Sequence, residues 1–169
     1  QPRLVQQVVD VILKGGVIVY PTDSAYALGC RIGDKDALER IRRIRQLDDK
    51  HYFTILCQDL SVLGNFTQLS NPAFRLIKSL TPGPFTFILT ANREVPKRLL
   101  HPKRKTIGIR VPDHPVAQAI LEELQEPLIS TTLELPGLEH PLNDPEEIYK
   151  LLHKQVDMVV DSGPGGLEM

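Results

Sequence analysis

The stretch Val17 to Cys30, VIVYPTDSAYALGC, limits what this chain can become more than any other segment. Its Val-Ile-Val-Tyr run reads as a short strand of the kind buried in an α/β sheet. Pro21 ends that strand, because proline brings no N–H to the ladder and biases the residue before it toward extended geometry. The strand therefore delivers Thr22, Asp23 and Ser24 to its carboxyl end, where open α/β sheets tend to bind ligands. The same residues also suit an ordinary turn in which Asp23 or Ser24 bonds its own backbone. The stretch alone leaves both readings open.

What surrounds it is consistent with one α/β domain over residues 1–169. Leu4, Val5, Val8, Val9, Ile12 and Leu13 recur at helical spacing, and Gly15-Gly16 stops that helix. Asp34 is the expected N-cap of a second helix, with Leu38, Ile41, Ile44 and Leu47 as its apolar stripe and Arg40, Arg42, Arg43 and Arg45 off it. A solvated face accounts for those arginines as well as a binding role does. Strands are expected at Tyr52 to Cys57, Phe85 to Leu89, Thr106 to Val111, Leu128 to Thr132 and Val156 to Val160. Helices are expected after Asn71, with Phe74 and Ile77 inward, after His114, and after Asp144, where Pro145 and Glu147 complete a capping signature. The Thr81-Pro82-Gly83-Pro84 loop should hold one shape, and a last turn is expected at Gly163 to Gly166.

Two cysteines, Cys30 and Cys57, without metal-ligand spacing, point to free thiols in a reducing, cytoplasmic compartment. No apolar run approaches membrane-spanning length, and no secretory signal is visible. The start at Gln1 and the stop at Met169 read as trimmed ends. Charge is unevenly spread: residues 1 to 121 carry 18 Lys plus Arg against 10 Asp plus Glu, whereas residues 122 to 169 carry 2 against 11. Gathered on one surface, the basic set would attract phosphates; interleaved with the acids, it would not.

The chemistry on offer is narrow. His51, His101, His114, His140 and His153 lack HExxH or other ligand spacing, so no metal site is expected. There is no CxxC, Walker A or GxGxxG pattern, and no nucleophile elbow supports a Ser-His-Asp set. Hydroxyls and arginines remain. In TIGIRV, Thr106, Gly108 and Arg110 share one face of a strand, so Arg110 could clamp a carboxylate or phosphate where Gly108 clears space, or pair with a surface acid at a sheet edge. LISTT ends in three hydroxyls that could donate to a phosphate or simply form a turn. Such groups stabilise anions electrostatically and make poor covalent nucleophiles, so no catalytic side chain is assigned. Aromatic content of 5% argues against base stacking, so any RNA binding should read shape and backbone.

Five separated segments, YPTDSAYALGC, RIRQL, TPGPFTFIL, TIGIRVPDHP and LISTT, resemble the YrdC/YciO/Sua5 family, most closely its YciO branch. The resemblance implies a YrdC/RibB-like fold, an open twisted mixed sheet with flanking helices and a positively charged concave groove. It implies double-stranded RNA or tRNA binding and, in the synthase members, threonylcarbamoyl adenylate made from ATP (with Mg2+), L-threonine and bicarbonate for tRNA t6A modification. By position, Thr22 and Arg110 would hold threonine, Arg45 falls on the first basic residue of a Lys-x-Arg motif, and Ser130 and Thr132 fall on nucleotide-contacting serines. Arg42, Arg43, Lys103, Arg104 and Lys105 are the candidate RNA contacts. Two departures stand out: Leu47 replaces the second basic residue, and Glu134 replaces an asparagine. Lys50 is a candidate substitute for the first loss, and a later Ser-Thr-Val-Val element has no match. The expected function is thus nucleotide and RNA binding with degenerate synthase motifs, with active synthesis as the alternative.

Overall fold

The computed structural model describes residues 2–46, 53–138 and 142–161. Among the described residues, seven strands form one twisted mixed sheet in the order β4-β5-β3-β6-β2-β1-β7. They are β1 (Ile18–Pro21), β2 (Tyr26–Arg31), β3 (Thr54–Leu56), β4 (Phe87–Thr90), β5 (Thr106–Arg110), β6 (Leu128–Thr132) and β7 (Met158–Val159). Only the β1/β7 and β3/β5 pairings among these are parallel. Pro21 closes β1 opposite Tyr26 and the chain turns at once, as the proline requires.

Helices α1 (Pro2–Leu13) and α5 (Pro115–Leu124) lie against each other over β1 and β2. They bury Val8, Ile12, Ile120 and Leu121 with Ile18, Tyr20, Ala27, Leu56 and Leu128 from the sheet. The opposite face takes α2 (Lys35–Arg45) and α6 (Pro145–Leu152), the short α3 (Leu63–Phe66), and Ile77 of α4 (Asn71–Leu80). None of the described helices is long and apolar enough to cross a membrane.

Local signals act as their chemistry dictates. The Asp34 carboxylate accepts from the Ala37 N–H at 3.0 Å, and Leu38, Ile41 and Ile44 are buried along α2. Asp34→Ala is expected to lower stability by about 1 kcal/mol, read as a shifted urea midpoint at unchanged slope. Asp144 caps α6 through the Glu146 N–H at 3.0 Å, and His114 Nδ1 caps α5 by accepting from Val116 N–H at 3.1 Å. Gly15 adopts φ +89°, the left-handed geometry that ends α1.

Three expectations need correction. Phe74 is 37% exposed, because α4 flanks the sheet with a single buried residue, Ile77. The fourth strand starts at Phe87 instead of Phe85, since the Thr81–Pro84 turn first docks on the end of β5 through Gly83 N–H to Val111 O at 2.9 Å. The last strand is confined to Met158–Val159. The expectations for Leu47, Lys50, His51, Tyr52, His140 and Gly163–Gly166 fall outside the described residues.

Candidate functional site

Strand alternation decides which side chains meet. Ile55, Ile107, Ile109 and Ile129 point into the α2 side of the sheet. Their neighbours Thr54, Gly108, Arg110, Ser130 and Thr132 therefore share the face that α1 and α5 cover elsewhere. Leu56 and Leu128 at one end of β3 and β6 lie under the helices. At the other end Thr54 and Ser130 are paired and line a small cavity instead.

That cavity, about 40 Å³, is bounded by Thr22, Ser24, Tyr26, Thr54, Thr86, Arg110, Ser130 and Thr132 among others. Four of the five expected substrate residues, Thr22, Arg110, Ser130 and Thr132, thus converge on one place. A larger groove of about 790 Å³ runs past Arg31, Asp34, Lys35, Phe66 and Glu126 at the other end of β2. It is mixed in charge and holds none of these residues.

The loop after β1 closes over this floor. Thr22 Oγ1 donates to Ala25 O at 2.6 Å and accepts from Ala25 N–H at 3.2 Å, so this hydroxyl shapes its own turn. Asp23 and Ser24 reach outward instead. Asp23 forms an ion pair with Arg110 and accepts from Asp113 N–H at 3.0 Å. Arg110 also donates to Ser24 Oγ at 2.9 Å and to Gly83 O at 3.4 Å. The arginine is buried, and β5 is an inner strand, because β4 lies outside it. Arg110 is therefore paired with an acid, as one reading had it, but inside the site and away from any sheet edge. Burial lowers the pKa of His114, next in the same loop, against the pull of the Asp23 carboxylate.

Arg45 reaches the site through Thr131 of β6, which lines the cavity. Its guanidinium donates to Thr131 Oγ1 and forms an ion pair with Glu134 at 3.0 Å. Burial lowers its pKa, and the Glu134 charge opposes that shift. All three hydroxyls of LISTT line the cavity, and Thr131 also accepts from Arg45.

The basic candidates also divide. Arg42 is turned inward, 4.9 Å above the Phe53 ring, and donates to Arg98 O at 2.8 Å. Arg43 is exposed. Lys103, Arg104 and Lys105 are exposed on a tight turn before β5, where His101 Nδ1 accepts from the N–H groups of 103 and 104. The segment carrying Arg98 links α2 to that turn.

Sequence reasoning assigned no site role to Thr54, Thr86 or Tyr20. Thr54 was legible as a lone hydroxyl at an alternate position of an apolar strand. The Asp23 pairing depends on how a loop folds across three strands and has no local signature. No group of three or more His, Cys, Asp or Glu among the described residues is placed to hold a metal ion.

Comparison with known proteins agrees with this architecture. The sequence is 60% identical over 163 residues to YciO of Escherichia coli K12, covering 96% of this chain and 79% of that protein. The crystal structure of E. coli YciO superposes with a TM-score of 0.89 over 94% of this chain and 77% of its own. A threonylcarbamoyl-AMP synthase of Vibrio vulnificus YJ016 is 29% identical over 158 residues, 92% of this chain and 84% of that protein. Sua5 of P. abyssi shares the fold, with a TM-score of 0.88 at 21% identity, over 99% of this chain and half (50%) of its own. The family model Sua5_yciO_yrdC, described as "Telomere recombination", matches residues 10–168. A sheet with these strands and likenesses of this extent have one reading: the chain belongs to the Sua5/YciO/YrdC family.

Proposed function

We propose that this chain binds a nucleotide at the hydroxyl and arginine floor, docks double-stranded RNA or tRNA on its basic segment, and does not make threonylcarbamoyl adenylate efficiently. The observation that carries this reading is the Arg45–Glu134 ion pair. Arg45 is a candidate for balancing polyphosphate charge, and a carboxylate already holds its guanidinium. A carboxylate there also repels an incoming phosphate, and both effects act most strongly on a transition state that gathers negative charge.

Hydroxyl donors suit phosphate oxygens, and Ser130 and Thr132 are the residues that would meet them. ATP would enter as a substrate with its own Mg2+. The groove around the floor would carry the positive potential expected of the family, with Arg43, Lys103, Arg104 and Lys105 as its exposed cations. Arg42, engaged by Phe53 and Arg98, would contribute charge more than contact.

The salt dependence of RNA binding tests the second half of the proposal. Between about 50 and about 200 mM salt, affinity for a duplex RNA should fall steeply, by roughly 0.9 log unit per log unit of salt for each phosphate neutralised. Lys103→Ala/Arg104→Ala/Lys105→Ala should lower that slope by about 2 to 3. Fluorescence anisotropy with a labelled duplex reads both. Salt-independent binding, or an unchanged slope in the variant, would remove RNA from the proposal.

Active synthesis is the second reading. It draws on the 29% identity to the Vibrio synthase and on Thr22, Arg110 and Ser130 sharing one cavity.

A further inference from the structure

We propose that Tyr20 is a positioning residue that commits the Ser130 hydroxyl to donating into the cavity, toward an anionic oxygen of the ligand. Only the identity of that ligand rests on the nucleotide reading above.

Tyr20 is on β1 and Ser130 on β6, with β2 between them. Two strand spacings, about 10 Å, separate their backbones. The tyrosine ring spans the middle strand at Gly29, which is paired with Ser130 across β2/β6. A Cβ at Gly29 would come within 2.7 Å of the Tyr20 ring, so glycine is what lets the ring lie there. The phenol oxygen then stops 2.6 Å from Ser130 Oγ.

The direction of this hydrogen bond follows from acidity and burial. Tyr20 is fully buried, and a phenol is a stronger donor than an aliphatic alcohol. Burial raises its pKa further, outweighing the pull of Arg110, so the proton stays on the phenol at working pH. Tyr20 therefore donates and Ser130 Oγ accepts. The serine keeps one proton of its own, which must turn away from the tyrosine. Ser130 lines the cavity with Thr54, Thr132 and Arg110, and an acceptor placed there meets a donor oriented in advance. Such orientation strengthens a charge-assisted hydrogen bond without reorganisation on binding.

A serine that merely satisfied a buried phenol would need no such direction, and a thiol at the same place tells the two apart. In Ser130→Cys, a hydrogen bond donated by Tyr20 should lower the pKa of the thiol at position 130 by roughly one unit relative to Ser130→Cys/Tyr20→Phe. Peptide-mapped alkylation against pH reads it, with little interference from Cys30 and Cys57, which are buried with pKa values pushed up to about 12. Equal alkylation profiles in the two variants would overturn the proposal.

Calorimetric titration with ATP is the second arm. Tyr20→Phe should weaken ATP about fivefold in the native background and leave it unchanged in the Ser130→Ala background. An equal loss in both backgrounds, or no loss in the first, would overturn the proposal although ATP binds. Absence of ATP binding by the unaltered protein would instead refute the nucleotide reading, and the thiol profiles would still decide the role of Tyr20.

Discussion

Arg110→Ala is expected to cost the fold about 3–5 kcal/mol, because it strands a buried carboxylate. Asp23 and Arg110 are only 12% and 11% exposed at their side chains, so water cannot take over either partner's role. The pair also joins three segments. The loop after β1 supplies Asp23, β5 supplies Arg110, and the backbone of Asp113 meets the second carboxylate oxygen. Losing the cation frees that loop from the floor as well as leaving a charge behind. Asp23→Ala/Arg110→Ala should therefore be more stable than Arg110→Ala alone by at least about 1 kcal/mol, since the stranded charge is gone. Urea unfolding of the two variants, compared at equal slope, gives the answer. Additive losses would mean that the two groups are not coupled.

Glu134→Asn should act in the opposite direction, on ligand instead of fold. Removing the carboxylate leaves the guanidinium of Arg45 free to meet phosphate and removes a repulsion. Arg45 is 11% exposed and Glu134 54%, so solvent screens the lost pair and stability should change little. ATP affinity should rise by about 1–2 kcal/mol, a factor of roughly five to thirty. Equilibrium titration with ATP checks this, and Glu134→Asn/Arg45→Ala should erase the gain. A gain that survives loss of Arg45 would place the effect elsewhere.

Much of this architecture can be read from local chemistry. Pro21 after an apolar run, Gly15 after a helical stripe, and Asp34, His114 and Asp144 ahead of helices act over a few residues, and each falls where it was expected. The floor is legible in part for the same reason. Alternation places Arg110 and Gly108 on one face of β5, and the three hydroxyls that end LISTT do line one cavity.

The pairings of those side chains are a different matter. Asp23 and Arg110 are 87 residues apart, and Tyr20 and Ser130 are 110 apart. Each pair forms only after the sheet order is set, and that order depends on all seven strands together. Phe74 shows the same limit from the other side. A helical stripe predicts which residues share a face, but the width of the surface beneath the helix decides how many of them are buried. In α4 the buried position is Ile77, and Phe74 stays largely outside the core.

If Glu134 holds Arg45 as proposed, the family pocket binds nucleotide but is poor at adenylate synthesis. Pyrophosphate release from ATP, with and without L-threonine and bicarbonate, decides this when ATP binding is measured alongside. ATP should bind, and the two co-substrates together should raise release little above background. Rapid release requiring both co-substrates, with threonylcarbamoyl adenylate identified by mass, would contradict it and make this chain a working synthase despite Glu134 and Leu47.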